Sequence, residues 1–198
     1  RLVAKTDPHK RWDAFDLARE AIGDPQLILD KVVPDEALPD YLWYLISKDK
    51  LDDTFPVWKR MKEVGVTSNW AVLRYIEFLS AKDRVSDASS IWDGVFGKRG
   101  DSLVWNGGFE RDLLGGGFDW IIWSFVPGVK IDFDEEKRFE GERSLRVRFD
   151  GKHNVDFYHV WEIVPVEPNA NYTLTSYMST QDITTSNGIT WEIYCYPK

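Results

Sequence analysis

Two stretches of the chain are close to one stretch written twice. Residues 47–61 read SKDKLDDTFPVWKRM, and residues 81–95 read AKDRVSDASSIWDGV. Lys48 matches Lys82, Asp49 matches Asp83, Leu51 matches Val85, Asp53 matches Asp87 and Trp58 matches Trp92, all at an offset of 34. Extended backwards, Tyr41 meets Tyr75, Tyr44 meets Phe78 and Leu45 meets Leu79. A period of this length fits a helix pair that stacks on a copy of itself. Helices are expected near 11–22, 24–31, 36–48, 51–63, 69–82 and 85–97. Thr67, Ser68 and Asn69 are N-cap candidates. Trp70, Leu73, Ile76 and Leu79 (or its neighbour Phe78) share one helical face. Gly65 closes the preceding helix. Pro56 is expected near the first turn of its helix, where proline is tolerated.

The repeat resembles the tetratricopeptide family over about 65 residues. That resemblance implies a short α-solenoid at 1–101, either a spacer or a scaffold whose face holds a protein or peptide. LDDTFPVWKRMKEVGVTSN also resembles a pentatricopeptide repeat, a family that reads single-stranded RNA. Such arrays need many repeats and a basic groove. The halves here carry net −2 and −6, from 16 basic against 18 acidic residues up to Asp101 and 9 against 15 beyond it. Neither suits nucleic acid or an anionic membrane.

Beyond Asp101 the period becomes two. SLRVRF (144–149), FYHVWEIV (157–164), NYTLTSYM (171–178) and WEIYCY (191–196) alternate, with turn residues between them. This pattern predicts an antiparallel β-sandwich at 102–198. NGGFE, GGFDW, FEGERSLRV and VEPNANYTLTSYMST follow one another in an order that resembles the jelly-roll carbohydrate-binding modules of the family four and nine type. The resemblance covers 104–198 and implies a non-catalytic glycan- or polysaccharide-associated protein. Modules of that type run on for two or three more strands, so a truncated jelly roll is expected. The whole chain is then α+β and multidomain, with the glycine run at 115–117 at the threshold of the second domain. No Lys-Ser or Lys-Thr follows those glycines, which argues against a phosphate loop.

Alternation places Phe157, His159, Trp161, Ile163, Leu174, Met178, Trp191 and Ile193 toward the core. The opposite face carries Tyr158, Glu162, Thr173, Thr175, Tyr177, Glu192, Tyr194 and Tyr196. Tyrosines interleaved with carboxylates make a groove for sugar rings and hydroxyls, or a surface that packs on the helices or on missing strands. Trp123 is placed at the rim and Trp120 in the core. Glu110 matches the family's Phe-Glu, which lies near a structural calcium in some relatives. No other cofactor is expected. His9, His153 and His159 are scattered, and the acidic cluster Asp132, Asp134, Glu135 and Glu136 is read as a solvated loop, so no catalytic set emerges. The alternative to glycan binding is a protein-interaction scaffold in which the sandwich is purely structural.

The chain begins at Arg1 without Met or a signal-like stretch and so reads as an excised fragment. No run of apolar residues long enough to cross a membrane occurs. One cysteine, Cys195, excludes an internal disulfide. It fits a reducing compartment and equally a disulfide-free periplasmic domain. A periplasmic or extracytoplasmic setting accords with a glycan partner.

Overall fold

The computed structural model describes residues 10–66, 68–183 and 188–197; His9 and Thr67 lie outside them. The chain is mixed α+β and divides into two compact units, Arg1–Lys98 with Gly116–Phe118, and Arg99–Gly115 with Asp119–Lys198.

The described residues of the first unit form six α-helices: α1 (Arg11–Ile22), α2 (Pro25–Lys31), α3 (Leu38–Ser47), α4 (Leu51–Val64), α5 (Asn69–Ala81) and α6 (Val85–Val95). Asp24 opens α2 by accepting the N–H groups of Gln26 and Leu27 at 2.8 and 3.1 Å, with Pro25 at the first helical position. Gly65 ends α4 in the left-handed region. Pro56 lies in the second turn of α4 rather than the first, and having no N–H it returns no bond to the carbonyl of Asp52. Ser68 is the N-cap residue of α5 but makes no side-chain cap bond. Trp70, expected on the apolar face, is half exposed, because it falls in the first turn of α5 ahead of the buried run that begins at Ala71.

The internal repeat is a repeat of geometry. Asp49 and Asp83 both adopt positive φ, 56° and 58°. The amides of Lys50 and Arg84 donate to the carbonyls of Leu45 and Leu79, both at 2.9 Å. Those of Lys48 and Lys82 donate to Tyr44 and Phe78, both at 3.1 Å. Each lysine also places its ammonium over the ring four residues before it, at 5.4 and 5.7 Å. The two turns are tied together by Lys82 and Asp49 at 2.6 Å. α3 packs on α4 and α6 on α5, while α1 and α5 both pack against α3. Phe15, Tyr41 and Tyr44 form an aromatic cluster, and Trp58 and Trp92 are both buried.

Gly116 and Gly117 of the glycine run belong to the helical unit. Phe118 is fully buried, with its ring 5.5 Å from that of Trp92. The N–H of Gly117 donates to Glu77 at 3.0 Å, and its φ is +63°. A Cβ there would stand 2.9 Å from the Trp92 ring and 3.0 Å from Leu73, so the site accepts only glycine.

The second unit holds two antiparallel pairs. β2 (Val129–Asp134) pairs with β3 (Ser144–Phe149) in the register Val129↔Phe149 to Asp134↔Ser144. β1 (Ile121–Ile122) pairs with β4 (Val160–Trp161). From β3, Arg146 bonds both Asp132 and Asp134 of β2, and Arg148 bonds Asp132, each at 2.7 Å. These hydrogen bonds, that of Arg146 foremost, hold the Asp132 carboxyl well below its usual range. The two aspartates are therefore strand residues in an ion-pair network, not part of a solvated loop; only Glu135 and Glu136 lie in the exposed turn.

Two of the expected strands differ from the reading of the sequence. NYTLTSYM and WEIYCY have the right alternation, but neither forms a strand, and the expected core residues Leu174, Met178, Trp191 and Ile193 are exposed, Ile193 by 81%. A strand needs a hydrogen-bonded neighbour as well as a period. Of 157–164, only Val160–Trp161 forms a strand, and the backbone bond from Trp123 to His159 continues it by one residue.

Trp92→Ala is expected to cost about 3–5 kcal/mol in urea denaturation. Gly117→Ala is expected to cost about 2–4 kcal/mol, against about 1 kcal/mol for Gly115→Ala, where φ is also positive but a Cβ meets nothing within 4 Å.

Candidate functional site

β1 and β4 are only two residues each, yet they gather most of the unusual side chains of the second unit. The register Ile121↔Trp161 and Ile122↔Val160 extends one step further, where the N–H of Trp123 donates to the carbonyl of His159 at 2.9 Å. That step brings Trp123, Tyr158 and His159 together. The Trp123 ring lies 6.4 Å from Tyr158 and 6.1 Å from His159, edge-on to both, and Tyr158 stacks on His159 at 4.6 Å. Trp123 is 53% exposed and Tyr158 63%. Phe125, two residues on, is fully exposed. This is an open aromatic platform held by a backbone ladder, with an imidazole able to donate or accept beside it.

Trp123 and Tyr158, both named from the sequence as sugar-binding candidates, are neighbours. His159 was assigned to the core by alternation. It joins the platform because the ladder covers only Val160–Trp161, so the residues before it are not held to strand alternation.

The remaining groove residues are placed elsewhere. Tyr177 stacks on Phe139 at 3.5 Å. Glu192 and Tyr194 lie on the exposed 188–197 segment, with no strand to set them in a row. Glu162 is not a groove carboxylate. Its Oε1 accepts the N–H of buried Trp105 at 2.8 Å, and its Oε2 is buried without a hydrogen-bond partner. Burial pushes its pKa up to about 8, helped by the charge of Asp119 and opposed by the Trp105 N–H and Arg99.

Asp119, which the sequence did not single out, is fully buried. Its Oδ2 accepts the N–H of Leu114, and its Oδ1 has no hydrogen bond. Burial raises its pKa, outweighing the pull of the surrounding backbone amides and Asn106. The only advance signal for either carboxyl was an acid next to a tryptophan in a strand-like segment.

Glu110 is committed to the backbone. Both of its carboxylate oxygens accept the N–H of Glu142 at 3.1 Å, and a Cβ on Gly141 would collide with it. Arg143 donates to the carbonyls of Phe109 and Arg111. NGGFE and the Gly-x-x-Ser-Leu segment are therefore clasped together. Among the described residues, no three His, Cys, Asp or Glu side chains converge to hold a metal.

The first unit carries a groove of about 470 Å³ between α2 and α4, lined by Leu29, Phe55, Pro56 and charged residues including Asp30, Arg60 and Glu63. Arg60 is already engaged by Asp35 and the carbonyl of Leu29. Among the described residues no helix is long and apolar enough to cross a membrane.

No family model, no curated protein and no solved structure matches the chain.

Glu110→Gln is expected to weaken the clasp on Glu142 by about 0.5–1.5 kcal/mol. If the clasp is the whole role of Glu110, the loss measured by thermal melting is the same in calcium as in a chelator.

Proposed function

We propose that the protein is a non-catalytic glycan-binding module joined to a helical-repeat scaffold, and that Trp123, Tyr158 and His159 are its sugar platform. The observation that carries this reading is the exposure of Trp123 and Tyr158 on a hydrogen-bonded ladder. Large rings held open to water by backbone bonds suit the apolar face of a pyranose. The repeated turns at Asp49 and Asp83 support a tetratricopeptide-like stacking of the helices.

In the same proposal, the second unit is a jelly roll whose outer strands are the alternating segments near 171–178 and 189–196. Trp191 Nε1 donates to Ser176 Oγ at 2.8 Å. An antiparallel register set by that pair puts Leu174 opposite Ile193 and Met178 opposite Ile189, uniting the exposed apolar residues on one face. Tyr177, Glu192 and Tyr194 then share the other face and extend the platform.

A second reading, a peptide-binding scaffold, rests on the groove between α2 and α4. Affinity electrophoresis of the whole chain through gels containing different polysaccharides separates the two. Retardation in at least one gel is expected, with Trp123→Ala weakening it about tenfold or more and leaving the melting temperature within about 1–2 °C. No retardation in any gel, or retardation unchanged in Trp123→Ala, removes the glycan reading.

A further inference from the structure

The groove between α2 and α4 continues past its main body of about 470 Å³ into a cleft of about 220 Å³ beside the first turns of both helices. Gln26, Leu29 and Pro56 line both, so the two form one channel. α2 has seven residues. Its length is about 10 Å, the span of roughly three extended residues. The floor of the channel is apolar: Leu29 is buried, with Phe55 and Pro56 beside it.

The charges along the channel are paired unevenly. Arg60 is held by Asp35 and by the carbonyl of Leu29. Asp53 meets Arg19 at 3.5 Å, and Glu63 meets Lys59 at 3.8 Å. Among the described residues no basic side chain pairs with Asp24, Asp30 or Asp52, all three exposed along the channel. Asp24 accepts backbone N–H groups and Asp30 accepts the Gln26 amide, and neither contact cancels a charge. The N-termini of α2 and α4 bring about half a positive charge each, too little to balance three carboxylates. Pro56 adds a further acceptor. It has no N–H, so the carbonyl of Asp52 lacks its helical donor, and Asp52 and Pro56 both border the cleft.

We propose that this channel docks a basic, apolar peptide segment of a partner protein. The apolar side chains of the segment lie on Leu29, Phe55 and Pro56. Its lysine or arginine sits in the cleft beside Asp24 and Asp52, with an N–H directed at the Asp52 carbonyl. The proposal rests on the scaffold reading of the helical unit and gives that scaffold's partner a chemistry. It stands whether or not Trp123 holds a sugar. Covering the apolar floor supplies affinity. The exposed carboxylates, screened by water, act chiefly on orientation and on the choice of partner. They also repel an acidic segment of the same shape.

The test is fluorescence anisotropy of the whole chain with rhodamine-labelled hexapeptides. Most positions are drawn from Leu, Val, Phe and Ser, and a pair at either terminus is Arg, Gln or Glu. The Arg series is expected to bind about tenfold more tightly than the Gln series, and the Glu series more weakly than both. Raising the salt from about 0.05 to 0.5 M is expected to cut the Arg advantage to about threefold or less. Asp52→Asn is expected to weaken the best Arg peptide about two- to fivefold and to leave its Gln counterpart unchanged. Pro56→Ala returns a helical donor to the Asp52 carbonyl. It is expected to raise the melting temperature and to weaken the Arg peptide, whereas a proline with a structural role alone would change only the melting temperature. In nitrogen-15 spectra, the Arg peptide is expected to shift the amides of Asp30, Phe55 and Lys59. Equal binding of the Arg and Gln series overturns the basic chemistry and leaves the scaffold reading. Shifts that spare α2 and α4, or wild-type binding of the Arg peptide by both variants, overturn the site. If no peptide of the set binds, the proposal and the scaffold reading fall together.

Discussion

The aromatic platform of the second unit depends on a ladder of two residue pairs. Ile121↔Trp161 and Ile122↔Val160 are hydrogen-bonded, and the bond from Trp123 to His159 is their continuation. So short a ladder has little stability of its own. It is held by what packs around its inner end: Trp120 against Phe109 at 5.1 Å, the buried Ile121 and Ile163, and the Glu162 carboxyl on the Trp105 backbone. Burying two acids at such a place is costly in solvation.

The helical unit is held differently. Its stability comes from repeated local solutions: an αL aspartate after α3 and after α5, a lysine over an aromatic ring at each, and a buried tryptophan on each following helix. Lys82 and Asp49 join the two solutions directly. The pattern closes at its far end with Phe118 and Gly117, where Trp92 leaves no room for a Cβ.

These two kinds of stabilisation explain what was legible in the sequence. The helices were legible because their contacts are local or repeat at a fixed offset: Asp49 and Asp83 fell 34 residues apart and adopt nearly the same φ. SLRVRF was legible because its alternation is matched by a neighbour, VKIDFD, within reach of a short turn. NYTLTSYM and WEIYCY alternate equally well but, among the described residues, belong to no strand ladder, and alternation cannot say whether a partner strand is present. The site was read in part for the same reason. Trp123 and Tyr158 could be placed by type and period. Glu162 could not, because what buries it is Trp105, 57 residues away, and nothing local to Glu162 marks that contact.

The central claim is that Trp123, Tyr158 and His159 form one ligand surface. The most direct measurement is a nitrogen-15 and carbon-13 NMR titration of the labelled chain at pH 6.5 with soluble oligosaccharides from a polysaccharide that retards it. The account predicts that the Trp123 indole, the Tyr158 ring and the His159 imidazole shift together with one apparent Kd, while residues of α2 and α4 stay still. Shifts confined to Leu29, Phe55 and Arg60, with Trp123 unmoved, would contradict it.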